Sequence, residues 1–288
     1  MSDEMQKQQR PEDNRTHIQG LGNQWAVLIG DPAAMMPQVV GTVLHAGGTR
    51  SCWQKTRANE EFVLMAWPED QPIRASVLMR GAPEGEMKPV TATPLLEGLP
   101  NDFMVDQVVP WASGVEASVG VTVVEGNNPM WFYDPLFYRD KEDLTPGVTH
   151  TFLLAGLAYG VRKALLDEIT ITQGPRYEAY AAAWLEKNPD KSRLDVPPLK
   201  VNMAGRKLIV PGRNFCEYEM RNTLVSVEKT HLDKVEVYML QMEFTFEDAR
   251  PPMHLVVYAP VHVCGDYTPQ AGDEVDTYVW LQGRVLDI

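Results

Sequence analysis

The sequence lacks most features that would place it in a large functional class. No apolar run approaches the roughly 20 residues of a membrane-spanning helix. Cysteine is scarce: Cys52, Cys216 and Cys264 are the 3 present. They are odd in number, far apart and form no CxxC pair, which argues against a disulfide framework and for reduced thiols. Basic residues are outnumbered, 26 Lys and Arg against 39 Asp and Glu, giving a net charge of −13. Such a charge opposes non-specific adhesion to nucleic-acid phosphates or anionic lipid. The signatures GxxxxGK[ST], HExxH, GxSxG, the EF-hand loop and GxGxxG after a strand are missing. The opening residues Met1 to Lys7 lack the basic start and apolar stretch of a secretory signal. The expectation is a cytoplasmic, membrane-free protein that uses no cofactor and no metal.

What is present is a normal globular composition, 44% hydrophobic over 288 residues, enough for one large domain or two ordinary ones. Residues 1–20 are polar and read as a disordered leader. Asp31-Pro32 reads as a helix start, with Asp as N-cap, proline in the first turn and apolar residues following at helical spacing to Gly47-Gly48. From there to about residue 138 the runs are short, β-prone and punctuated by Gly and Pro. Residues 148–168 carry both a strand-like alternation and a helical stripe; a strand to about 162 agrees with the repeat described below. Tyr177, Tyr180, Ala181, Trp184 and Leu185 predict a helix over 175–187, stopped by Asn188-Pro189. Residues 205–288 read as a meander of four or five strands.

The fold expected is mainly β (α+β overall). It has an N-terminal β-rich α+β domain at 21–165 and a helical connector and linker at 166–204. A C-terminal unit at 205–288 resembles a small OB-like or SH3-like antiparallel barrel. Two stretches also align at an offset of 125 residues. Pro135 falls on Pro260 and Gly147 on Gly272, each followed by an apolar stretch with a late glycine, Gly160 or Gly283. Duplication of a β unit explains this, and chance alignment of two strand–turn–strand segments is the competing explanation.

Candidate sites are few. His262-Val-Cys264, placed on a strand, would put two soft ligands on one side, but two core residues are the simpler reading. His45 and Cys52 flank a Gly-rich turn without an orienting group. The paired carboxylates read as solvated loop charges.

The charge layout says more. Residues 21–150 carry 8 basic and 16 acidic residues, and 201–288 carry 8 and 13. Two acidic β units thus flank a near-neutral connector. Within the first, the aromatics Trp131, Tyr133 and Tyr138 interleave with Asp134, Asp140, Glu142 and Asp143. Such a surface suits a basic protein partner better than phosphates. The function expected is therefore a non-catalytic acidic binding protein docking on a basic partner, such as a bacterial or phage inhibitor, immunity or anti-defence protein. An OB-like nucleic-acid binder using Arg206, Lys207 and Arg213 is the second reading. An enzyme with a site assembled from distant residues is the third.

Overall fold

A computed structural model describes residues 15–55, 59–82, 85–124, 129–165, 168–246 and 251–286, with side chains omitted at 51–55. The chain is mostly β. Helices α1 (Gly22–Ile29) and α2 (Pro32–Ala46) come first. A four-stranded antiparallel meander follows: β1 (Gly48–Lys55), β2 (Glu60–Trp67), β3 (Ile73–Gly81) and β4 (Lys88–Leu96). Then come β5 (Leu99–Pro110), β6 (Ala117–Thr122), β7 (Met130–Asp134), the short α3 (Phe137–Asp140) and the long β8 (Thr149–Lys163). A two-stranded sheet of β9 (Glu168–Ile171) and β10 (Leu199–Asn202) brackets α4 (Pro175–Lys187). The last run is β11 (Leu208–Pro211), β12 (Glu217–Leu232), β13 (Val235–Phe244), β14 (Met253–Pro260), a 3-10 turn at Val261–Cys264 and β15 (Glu274–Val285).

Local chemistry explains the helices. Asp31 caps α2, its Oδ1 accepting from the Ala33 and Ala34 amides at 2.9 and 3.4 Å. Gly47 ends it. α4 occupies the span its apolar spacing predicts and buries Ala181 on that stripe. α1 and α2 are bent 80° to each other, and among the described residues no single helix is long and apolar enough to cross a membrane.

The nine remaining main strands form one sheet in the order β11-β12-β13-β14-β8-β15-β7-β6-β5, with β12–β15 and β8–β5 also paired. Tracing these pairings yields two closed five-strand rings. One runs β5-β6-β7-β15-β8, the other β12-β13-β14-β8-β15, and β8 and β15 belong to both. The C-terminal ring therefore does not close on residues 205–288 alone. β14 and β15 do not meet edge to edge; β8, from the first half, lies between them. A single hydrophobic core runs through both rings, from Phe103, Val119, Phe132 and Phe152 to Leu240, Leu255, Val275 and Leu281.

The rings repeat each other. β8 begins at Thr149 and β15 at Glu274, 125 residues later. Gly147 and Gly272 have φ of 87° and 88°, the left-handed region in which glycine is unstrained. Gly147 N–H donates to Val105 O and Gly272 N–H to Leu224 O, both at 2.8 Å. The return bonds, Val105 to Val148 and Leu224 to Asp273, are both 2.9 Å. A bulge follows each anchor, at Asp106 and at Val225. The parallel bridge Tyr133↔Gln282 recurs as Tyr258↔Leu157 with the halves exchanged. Gly160 and Gly283 are not counterparts, since their separation is out of register with these pairs.

Two corrections concern the ends of the expected units. The chain is docked from Arg15 onward: Thr16 bridges Asn214, and Arg15 donates to Tyr218 Oη at 3.2 Å. The leader expected at 1–20 is thus a strap in its last residues, and 1–14 lie outside the described residues. The four-stranded sheet is also joined to the seam by Gln282 of β15. Its amide accepts from Leu96 N–H at 2.8 Å and donates to Pro94 O at 2.7 Å, pinning the end of β4.

Candidate functional site

The seven residues expected to form a docking surface do not lie on one surface. Every residue of β7 is buried, because β6 and β15 flank it and both faces are covered. Trp131 stacks on Phe215 with ring centres 4.6 Å apart, while Phe132 meets Phe152 on the opposite face at 5.0 Å. Tyr133 packs between Trp111 (4.9 Å) and Trp280 (5.2 Å). Asp134 is fully buried, Oδ1 accepting from Leu136 N–H at 2.8 Å. Asp140 is also buried, bound to Arg139 Nε at 2.5 Å. Trp131, Tyr133, Asp134 and Asp140 are therefore interior. Tyr138 is half-buried, donates to Glu60 Oε2 at 2.8 Å and carries Lys141 Nζ 4.1 Å over its ring. Glu142 and Asp143 are exposed. The interleaving of aromatics and acids was misleading because a strand covered on both faces buries its alternate residues equally.

Burial raises the Asp134 carboxyl to about 8, and the nearby Asp140 adds to the effect. Arg139, Arg284 and the Leu136 amide work the other way. Burial therefore favours the protonated form of Asp134.

The buried aromatics back onto a carboxyl group that the sequence reading passed over. Glu116 sits at the end of the β5–β6 hairpin and is 4% exposed. Three hydroxyls donate to it. Thr91 Oγ1 (2.8 Å) and Tyr133 Oη (2.5 Å) reach Oε1, and Ser113 Oγ reaches Oε2 at 2.9 Å. Burial, and then Glu116 itself, push the Tyr133 hydroxyl well above its ordinary range, so it remains a donor. Glu116 lies at the floor of an open hollow of about 500 Å³, walled by Trp25, Met36 and Trp111 and rimmed by Gln19. Trp25 is fixed by its indole N–H to Ala92 O at 3.1 Å, Trp111 by its own to Ser118 Oγ at 3.1 Å. The strap closes one side, with Gln19 Oε1 accepting from Ala112 N–H at 2.7 Å. The one sequence signal was a lone acid inside the β-prone run Val115-Glu116-Ala117-Ser118-Val119, where a solvent-facing loop charge is not expected.

Other candidate groups are placed as follows. His17 Nε2 lies 3.0 Å from Ser118 Oγ, but Ser118 is 1% exposed and already accepts from Trp111, so the contact ties the strap to β6. Burial lowers the His17 pKa and favours the neutral ring. His262 and Cys264 occupy a turn, not a strand: His262 is exposed and Cys264 buried. Burial pushes the Cys264 thiol up to about 11 and the Cys216 thiol to about 12. Among the described residues no group of three His, Cys, Asp or Glu is placed to hold a metal. His45 is exposed, and the Cys52 side chain lies outside the described residues. Arg206, Lys207 and Arg213 are exposed on either side of β11; Arg206 Nε is committed to Asn202 O at 2.6 Å.

Compared with protein-family models, curated proteins and solved structures, the chain matches none of them.

Proposed function

We propose that this chain is a non-catalytic acidic binding protein that docks on a basic partner protein, with the Glu116 hollow receiving a lysine or arginine side chain. The observation that carries the reading is a carboxyl group, held by three hydroxyl donors, at the base of a hollow between two fixed tryptophans. An aromatic wall and a desolvated acid together favour a cationic tip on an apolar stem. Both walls are hydrogen-bonded in place, so little ordering is left for the moment of binding. The net charge of −13 steers a basic partner, and Glu142 and Asp143 add to the exposed field. The reading includes inhibitors and immunity or anti-defence proteins directed at nucleic-acid-handling enzymes. The free thiols of Cys216 and Cys264 accord with a reducing, cytoplasmic setting. In the same reading the ring β12-β13-β14-β8-β15 is a small OB-like or SH3-like barrel completed by a borrowed strand.

The test is a titration of the full chain with a lysine- and arginine-containing peptide, followed by tryptophan fluorescence. Glu116→Gln keeps the hydrogen-bonding shape and removes the charge. The expected loss of affinity is about 30-fold or more, the scale for truncating one member of a desolvated charge pair. Affinity unchanged by E116Q and by salt would sink the proposal.

A further inference from the structure

We infer that a second hollow, lined by four arginines and separate from the Glu116 site, binds a phosphoryl group, either inorganic phosphate or the end of a small phosphomonoester. It lies where the four-stranded sheet meets the rings. Arg50 comes from β1, Arg74 from β3, Arg139 from α3 and Arg284 from β15, with Glu97, Leu64, Leu95 and Leu136 completing the wall. The two hollows share no lining residue.

Three observations support this assignment. The first is convergence of charge in a protein that is acidic elsewhere. Four arginines line a hollow of about 240 Å³, the volume of roughly eight waters, and among the described residues the acids bonded to them are Glu97 and Asp140. The four arginines outnumber these two carboxylates, and burial disfavours a further negative charge on the neighbouring Asp134.

The second is that three of the arginines are held in place. Glu97 Oε2 takes Arg74 at 2.6 Å and Oε1 takes Arg284 at 3.2 Å. Arg74 also donates to Gln71 O at 3.0 Å, and Arg139 to Asp140 and Val285 O. Burial opposes ionisation of Glu97, but the two arginines hold its carboxyl below the usual range. Arg50 falls at the β1 bulge, the skipped residue between Thr49↔Met65 and Ser51↔Leu64, and a bulge re-aims its side chain.

The third is unmet donor capacity. The Nε atoms of Arg74 and Arg284 are both buried without an acceptor among the described residues. Four forked donors offer more N–H groups than the two carboxylates can take up, and the excess of positive charge suits a phosphoryl group.

The experiment uses the full chain and titrates inorganic phosphate, phenyl phosphate and malonate by calorimetry, at matched ionic strength in chloride. The variants are Arg50→Ala, exposed and outside any ion pair among the described residues, and Arg284→Lys, which keeps the charge beside Glu97 but loses the fork. Circular dichroism and the unfolding midpoint check that both stay folded. Saturable phosphate binding, weakened about tenfold by either variant, supports the site. If phenyl phosphate also binds, the source is a phosphomonoester; if phosphate alone binds, it is the free ion. No saturable binding, malonate binding as tightly as phosphate, or binding undiminished in both variants would overturn it.

Discussion

At the scale of single residues, four described carboxyl groups are buried, Glu116, Asp134, Asp140 and Glu217, and the first three are handled differently. Glu116 is surrounded by hydroxyl donors, Asp140 is paired with Arg139, and burial favours the protonated form of Asp134. The last case has a pH signature. The unfolded Asp134 loses its proton near pH 4 and the folded one near 8. Between those values the folded state binds more protons, so this residue's contribution to stability is full below about pH 4 and is lost as pH rises toward 8. Asp134→Asn, which preserves the acceptor for Leu136 N–H, removes that slope. Urea midpoints at pH 5 and pH 8 should therefore fall less for D134N than for the wild type. A parallel pH dependence in both proteins would rule the account out. Around Glu116, Tyr133→Phe deletes a single donor to a buried acid. The expected cost is about 1.5–3 kcal/mol in a denaturant series, the range for a hydrogen bond to a charged group. Neither role was legible in the sequence. There Asp134 resembled its neighbours Glu142 and Asp143, which are exposed, and an isolated Glu116 carried no motif.

At the scale of elements, local signals suffice where the determinant is itself local. The Asp31-Pro32 start and Gly47 stop of α2, and the full span of α4, follow from capping and apolar spacing alone. Asp31→Ala should lower stability by about 1 kcal/mol, measured as a shift in urea midpoint, because two first-turn amides lose their acceptor. The strand expected to about 162 is β8, Thr149–Lys163, although a helical stripe competes with it in the sequence. Gly156 lies mid-strand, paired with Leu281 and Val257 on the seam common to both rings. A Cβ there would meet Val279 Cγ1 at 2.4 Å, an overlap that a packed seam cannot absorb without shifting. Gly156→Ala is expected to cost about 1–3 kcal/mol in the same assay. The error at this scale was β7. Its alternation suggested an outward face, but a second covering layer comes from other elements, with Trp111, Phe215 and Trp280 packed on it.

At the scale of the whole molecule, the two halves are alike and not separable. Each ring borrows the last long strand of the other, so neither can satisfy its backbone pairing alone. Segments 15–165 and 205–288, expressed singly, should lack a cooperative unfolding transition. Co-expression should restore one if the intervening connector is dispensable for pairing. A sharp transition in 205–288 alone would show that the C-terminal meander closes without β8. The unit boundaries drawn from composition followed chain order, whereas the pairing interleaves the halves.

The sequence by itself determined the strand-rich class, helices α2 and α4, the long strand after residue 148 and the 125-residue offset that the turns at Gly147 and Gly272 repeat. Caps, glycine conformations and side-chain periodicity act over a few residues, so they are written in neighbouring positions. The tertiary structure decided which strands share edges, that β7 is interior, and that Glu116 and the four arginines each face a hollow. Those outcomes depend on desolvation and charge summed over groups brought together from positions 50 to 284, and no local window of sequence contains that sum.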